Sequence, residues 1–235
     1  MKMFPGVVEW DLYDTGKFDE ALMKIPGVTI YNKYFTDEIA KEYCNDNSDI
    51  LFISDIRVAP ENMEVKKMCE NVEIDMQMQW DWVKLMKPRA SLLKFRLPYV
   101  NTPEDAKPRS YLPGTIYMQA WAPVHSTETR LFTIYDKYQA ITTNDIITYD
   151  PRGYESQCYE YNLLRGNTLS RDKYYVIQNQ DSLLETYVLE EYIKKHAPGV
   201  SLHQIRYDID DCLGMSFQKL CHKKINDWDS VSKLK

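Results

Sequence analysis

Ile50-Leu51-Phe52-Ile53-Ser54-Asp55, then a helical pattern to Met86, then Ala90-Ser91-Leu92-Leu93-Lys94-Phe95-Arg96-Leu97: this stretch decides the fold. A short apolar run bounded by turn residues suits a buried strand of a parallel sheet. Between the runs, Val65, Met68, Cys69, Val72, Met76, Trp80 and Val83 recur at helical spacing. They predict one long helix from about Glu61 to Met86 with an apolar face. Lys87-Pro88 ends it, because proline disfavours helical backbone in the residue before it.

Outward from this unit the alternation continues. Val7 to Tyr13 reads as a strand ending at Asp14, Phe18 to Ile25 as a short helix stopped by Pro26-Gly27, and Val28 to Tyr31 as a second short strand. Thr36 can cap a helix from Asp37 to about Cys44, whose first turn is acidic. Downstream, Asn101 to Pro113 is rich in proline and charge and reads as a loop. Thr115 to Trp121 and Arg130 to Tyr135 read as strands, with Ala140 to Thr142 a further candidate. Past Asp150 the pattern turns helical, over Tyr154 to Leu164, Ser182 to His196 and Leu202 to Leu213. Strands alternating with helices, followed by adjacent strands, predict an α/β sheet with an antiparallel edge.

Composition sets bounds on function. A hydrophobic share of 44% over 235 residues supports a sizeable core. The formal net charge of -6 argues against a generally basic nucleic-acid binder but leaves room for a local basic groove. Cys44, Cys69, Cys158, Cys212 and Cys221 form no C-x-x-C pair, which fits a reducing intracellular compartment and predicts no metal site. No apolar run approaches the length of a membrane span, so no membrane partner is expected. The eighteen tyrosines suit core packing, and an RNA surface would also use such rings.

Ligands of open α/β sheets bind beyond the carboxyl ends of the strands. Asp14 and Asp55 each end a predicted strand, which puts them at that edge. Lys94 lies inside a predicted strand, where a lysine needs a reason, and Glu128 lies just before the strand that begins at Arg130. A lysine gathered with two carboxylates can be tuned to handle the proton of a hydroxyl. The same residue types would also build a structural ion-pair network, and spacing alone does not choose between the two. Arg57, Arg96 and Arg130 are positioned to contact phosphates or to pair with these carboxylates.

Three segments carry a resemblance: Ile50-Leu51-Phe52-Ile53-Ser54-Asp55-Ile56-Arg57, Ser91-Leu92-Leu93-Lys94-Phe95-Arg96-Leu97-Pro98-Tyr99 and Ala122-Pro123-Val124-His125-Ser126-Thr127-Glu128-Thr129-Arg130-Leu131. In order and spacing they resemble motifs of the poxvirus-type cap-specific mRNA (nucleoside-2'-O-)-methyltransferases, the poly(A) polymerase regulatory subunit family, related to FtsJ-like RNA ribose methyltransferases. The likeness runs from about Phe4 to Tyr161. It implies a Rossmann-like fold that uses S-adenosyl-L-methionine, with Asp55, Lys94 and Glu128 matching three members of a Lys-Asp-Lys-Glu catalytic tetrad. It further implies that Asp14, Phe35, Asp55 and Ile56 line the cofactor site. Tyr99 matches an aromatic that stacks on the methylated cap base. Asn101 stands where the family has an acidic cap-reading residue, His125 where it has a tyrosine, with Ser126 beside it. Asp150 is a candidate second carboxylate for the cap.

The implied reaction transfers a methyl group to the ribose 2'-OH of the first transcribed nucleotide. Capped mRNA is the implied substrate and a poly(A) polymerase catalytic subunit an implied partner. The implied setting is intracellular: host cytoplasm, viral factory or virion. The family also carries chain before the position that matches Met1, holding the tetrad's first lysine, the first strand and a Gly-rich loop over the cofactor. The expectation is therefore a methyltransferase fold without its first strand and cofactor loop over residues 1–165, and a helical C-terminal extension over 166–235. Three routes lead to such a chain: a fragment of a longer protein, a second chain supplying the strand and lysine, or loss of catalysis with an RNA-binding or processivity role kept. A central gap would leave two sheet edges open, so the chain is expected to be rearranged, partnered or incomplete.

Overall fold

The computed structural model describes residues 9–44, 49–57, 65–120, 122–135, 146–167, 170–171, 177–178 and 180–212. The candidate strand at Ala140–Thr142 lies outside them, as do Val7 and Val8 and the expected start of the long helix. The chain divides into two compact units, one of residues 1–119 and 127–155, the other of residues 120–126 and 156–235.

The first unit is mixed α/β. It contains β1 (Trp10–Tyr13), β2 (Val28–Tyr31), α1 (Asp37–Tyr43), β3 (Leu51–Ser54), α2 (Val65–Met86), β4 (Ala90–Phe95), β5 (Arg109–Tyr111), β6 (Thr115–Met118), β7 (Thr129–Ile134) and β8 (Ile147–Tyr149). β3, β4, β7 and β6 lie side by side in that order. β3 and β4 run parallel, as a strand–helix–strand crossover requires, while β7 and β6 continue antiparallel. β1 and β2 form a separate parallel pair, and β5 pairs with β8. This architecture is compatible with a Rossmann-like fold that has an antiparallel edge.

Side chains alternate across the four-stranded sheet, and burial shows which face holds the core. Ser91, Leu93 and Phe95 of β4 and Leu131 and Thr133 of β7 share one buried face. α2 covers that face with Met76, Gln79, Val83 and Met86, all buried. Gln79 is polar yet buried, and its Nε2 donates to the Lys94 carbonyl at 2.9 Å, which fastens α2 to β4. Trp82, outside the expected apolar stripe, is buried as well, and its Nε1 donates to Asp37 of α1 at 3.0 Å. Lys87 takes a left-handed φ of 52° just past α2, ending the helix where the sequence indicated. Thr36 caps α1 as expected, accepting from the Ile39 amide at 3.5 Å. Gly114 is required by close approach: a Cβ there would lie 2.7 Å from the Phe132 carbonyl oxygen and 2.6 Å from Thr133 Oγ1.

Three expectations need correction. The helix expected over Phe18–Ile25 is a single 3-10 turn at Leu22–Lys24 without a side-chain cap, because Pro26 and the positive φ of Gly27 stop it within a turn. The expected loop Asn101–Pro113 contains β5, which forms only through pairing with the distant β8, so no local signal announces it. The strand expected to reach Trp121 ends at Met118, and β7 runs from Thr129 to Ile134.

α3 (Pro151–Asn167) begins earlier than the expected Tyr154. Asp150 accepts the amides of Arg152 and Gly153 at 3.1 Å each, and Pro151, whose missing N–H is unneeded there, opens the helix. The first turn of α3 belongs to the first unit and the rest to the second. The second unit adds the short antiparallel pair β9 (Ser170–Arg171) and β10 (Ile177–Gln178), then α4 (Gln180–His196) and α5 (Leu202–Cys212). Arg206 of α5 holds α4, through Thr186 Oγ1 at 2.6 Å and Glu185 at 3.5 Å. No helix among the described residues is long and apolar enough to cross a membrane.

Candidate active site

Strand register assembles the charged residues. Ser54, the last residue of β3, pairs with Leu93, so Asp55 emerges beside Lys94. On the other side of β4, Lys94 pairs with Arg130, and Glu128 directly precedes β7. The three residues expected to act together therefore meet at the carboxyl end of β4. Lys94 Nζ lies 3.1 Å from Asp55 Oδ1 and 3.3 Å from Glu128 Oε2. The lysine side chain is 15% exposed and Glu128 18%, whereas Asp55 is 61% exposed, so the cluster is walled on one side and open on the other.

Two arginines complete the network. Arg130 reaches Asp55 Oδ1 with Nη2 at 3.0 Å and Glu128 Oε1 with Nη1 at 3.1 Å. Arg57 Nη2 donates to Glu128 Oε2 at 3.1 Å. Both follow the alternative of carboxylate pairing raised by the sequence. Gln119, which sequence reasoning did not single out, backs Arg130: its amide oxygen accepts from Nη2 at 2.9 Å and Nη1 at 2.6 Å in the orientation that satisfies both groups. A glutamine near the end of a strand carries no motif signal, so only the fold reveals it.

Charge balance sets the state of Glu128. Burial pushes its carboxyl up, but the Arg130 hydrogen bond and the positive charges of Lys94 and Arg130 outweigh it, leaving the group below its ordinary value of 4.5. A depressed carboxylate contributes stability that is present above its unfolded pKa and is lost as pH falls through its folded pKa. Glu128→Gln is therefore expected to lower stability by about 2 kcal/mol at pH 7. The deficit should shrink toward zero as pH falls below 4.5, read from urea unfolding midpoints of both proteins across pH. A deficit that does not change with pH rules out the ionic origin.

The remaining candidates lie as follows. Asp14 directly follows β1, with Oδ1 accepting the Gly16 amide at 2.6 Å. Phe35 sits in an aromatic cluster, 5.0 Å from the Tyr13 and Trp82 rings and 5.8 Å from Phe52, so it forms a wall held from several sides. Ile56 is half-buried beside Asp55. Tyr99 is half-buried, and the Arg96 guanidinium lies 4.4 Å from its ring centroid. Arg96 also donates to Met68 Sδ at 3.8 Å. It therefore supports Tyr99 and is not part of the ion-pair contacts around Lys94. Asn101 is exposed on a turn, its amide bonded to the Tyr99 carbonyl. Asp150 is exposed and caps α3. His125 and Ser126 belong to the second unit, where His125 stacks on Tyr159 at 5.6 Å and the Ser126 carbonyl accepts from Asn162 at 2.9 Å.

The donor set suits an S-adenosyl group at its adenosine end. Asp14 offers a carboxylate for ribose hydroxyls, and Phe35 and Ile56 offer apolar surface for a base. Among the described residues no group of three or more His, Cys, Asp or Glu could hold a metal ion.

The chain is similar in sequence to known proteins. Residues 1–204 match the family described as Poly A polymerase regulatory subunit. Over 135 residues, 55% of this chain and 42% of the other, the chain is 30% identical to the cap-specific mRNA (nucleoside-2'-O-)-methyltransferase of Fowlpox virus. Over 155 residues, 63% of this chain and 44% of the other, it is 26% identical to the protein of that name from Myxoma virus. The matches thus span less than half the length of these curated relatives.

Proposed function

The chain belongs to the Poly A polymerase regulatory subunit family, and from that premise we propose that it carries the catalytic cluster of a cap-specific mRNA ribose 2'-O-methyltransferase. The observation that carries this reading is Lys94 Nζ held between Asp55 and Glu128 at a strand's carboxyl end. S-adenosyl-L-methionine, when bound, supplies an activated methyl group on a sulfonium. Bound there, it would supply that methyl to a ribose 2'-oxygen, the 2'-hydroxyl proton passing to water or to a neutral Lys94 amine.

Each residue has a part in this scheme. Two of the three hydrogen-bonding positions of Lys94 Nζ are taken by Asp55 and Glu128. The third N–H can donate to the 2'-oxygen and so orient its remaining lone pair; taking the hydroxyl proton instead would need the neutral amine, with its own lone pair in that third position. Arg130 clamps both carboxylates and thereby sets the direction of Lys94. Such positioning supplies much of the rate in a direct displacement. Asp14, Phe35 and Ile56 hold the adenosine part. Tyr99 receives the cap base, a cation that favours an aromatic face. Asn101, Asp150, His125, Ser126 and Arg57 are proposed to contact cap or RNA.

Tyr99→Ala is expected to weaken binding of a 7-methylguanosine cap analogue roughly thirtyfold, as loss of a stacked cation implies. Fluorescence titration reads this directly, and an unchanged affinity removes Tyr99 from the cap site. The reading as a whole is tested by methyl transfer from S-adenosylmethionine to capped RNA, with and without Lys94→Ala.

A second reading rests on the family description itself: a non-catalytic subunit that binds RNA and supports a poly(A) polymerase. In that case the charged cluster is a structural network at the sheet edge. RNA binding and polymerase stimulation without cofactor binding would select this reading.

A further inference from the structure

Arg96 stands where support of a neighbouring ring does not by itself explain a charge. Its guanidinium carbon lies 4.4 Å from the Tyr99 ring centroid. Nη1 reaches the Met68 sulfur at 3.8 Å, and a thioether is a weak acceptor. Nε and Nη2 are buried and make no hydrogen bond. No ion pair among the described residues includes Arg96. Buried N–H groups without acceptors are unfavourable, and a half-buried charge without a counter-charge more so. A methionine would pack against Tyr99 without that penalty. The charge itself therefore asks for a role at the ring it touches.

The backbone around Tyr99 is held by other contacts. The Val100 amide donates to Glu155 Oε2 at 3.1 Å, and the Asn101 amide to the Tyr99 carbonyl at 3.1 Å. What Arg96 adds is a positive charge on one face of the ring. From where they stand, its buried Nε and Nη2 do not meet an anion arriving from solvent. We propose that Arg96 is a specificity-determining residue: its cation, held against Tyr99, lowers the preference of the site for a methylated, cationic base over neutral guanine. The inference rests on the reading of Tyr99 as the platform for the cap base. An aromatic face attracts a cation through its negative quadrupole. A guanidinium on one face draws that electron density toward itself and repels a second cation stacked on the other. Neutral guanine meets no such repulsion and keeps its stacking. The guanidinium thus narrows the gap between the two bases by acting through the ring.

The test titrates the full chain with 7-methyl-GTP and with GTP, which carry the same phosphates, and follows protein fluorescence. The quantity read is the ratio of the two affinities. Arg96→Met and Arg96→Gln remove the charge, and each is expected to raise the preference for 7-methyl-GTP about three- to tenfold. Arg96→Lys keeps a cation at this position and should leave the ratio within about twofold of wild type. Tyr99→Ala should bring the ratio close to one. Unfolding midpoints check every variant, and Arg96→Gln carries the test if Arg96→Met disturbs packing.

A ratio that stays at the wild-type value or falls in the neutral variants overturns the proposal. Equal losses for both nucleotides make Arg96 a phosphate ligand instead and overturn it as well. A rise of the same size in Arg96→Lys assigns the effect to shape, not charge, with the same consequence. Tyr99→Ala keeps this inference apart from the reading beneath it. If it leaves both affinities unchanged, or if the chain binds neither nucleotide, the cap-site reading fails and this inference with it. Binding that depends on Tyr99 but shows an unmoved ratio leaves the cap site standing and sinks the role of Arg96 alone.

Discussion

On the proposed reading, Lys94→Ala is expected to lower methyl transfer to capped RNA by roughly 10²–10⁴-fold, the range for loss of a positioned proton-handling group. The fold should survive. Asp55 and Glu128 remain paired with Arg130, and Glu128 also with Arg57, so no carboxylate is left without a counter-charge. Lys94→Arg keeps the charge but replaces a compact ammonium with a planar fork, and it should recover little of the rate. The measurement is single-turnover methyl transfer alongside unfolding midpoints for both variants. If both variants turn over within a few-fold of wild type, Lys94 is part of a structural ion-pair network. Loss of rate with unchanged stability separates chemistry from folding.

Phe95→Ala carries the largest expected cost in stability, about 3–5 kcal/mol. Phe95 is fully buried, and its ring meets Tyr111 at 5.6 Å, Tyr149 at 5.0 Å and Tyr154 at 5.6 Å. These rings come from β5, β8 and α3, so one side chain ties the small sheet and the start of α3 to β4. All three tyrosines also spend their hydroxyls on backbone carbonyls, Tyr111 on Met76 at 2.8 Å, Tyr149 on Leu112 at 2.7 Å and Tyr154 on Thr127. Burial pushes Tyr149 up to about 12, in keeping with a hydroxyl that stays protonated as a donor. Urea unfolding followed by circular dichroism reads the loss. A cost near 1 kcal/mol would mean that the surrounding rings close over the cavity.

The two variants probe adjacent residues with opposite surroundings. Along β4, Phe95 points into the packed face and Lys94 into the open one, because side chains alternate along a strand. The Phe95 variant is expected to disrupt folding and the Lys94 variant the proposed chemistry, although only a peptide bond separates the two residues.

Much of this was legible in the residues. The strand at Leu51–Ser54, the helix ending at Met86 and the strand at Ala90–Phe95 follow from hydrophobic spacing and a proline stop. Asp55 and Lys94 were readable as site candidates because one ends a strand and the other is a charge within one. What local pattern could not reveal depended on distant pairing. β5 is three residues long and exists through β8. Arg57 and Arg130 had two open readings until strand register set them against Glu128 and Asp55. The carboxyl of Asp150 acts locally as the cap of α3, and Gln79 and Gln119 carry no motif at all.

By itself, then, the sequence determined the crossover unit and the residue types at its end, because periodicity and capping act over a few neighbours in the chain. Tertiary structure alone decided that Lys94 stands between two carboxylates clamped by Arg130, since that contact joins β3, β4 and β7 across strand register. It alone also set the Arg96 guanidinium against the Tyr99 ring and the Met68 sulfur, because that contact joins the chain just past β4 to α2.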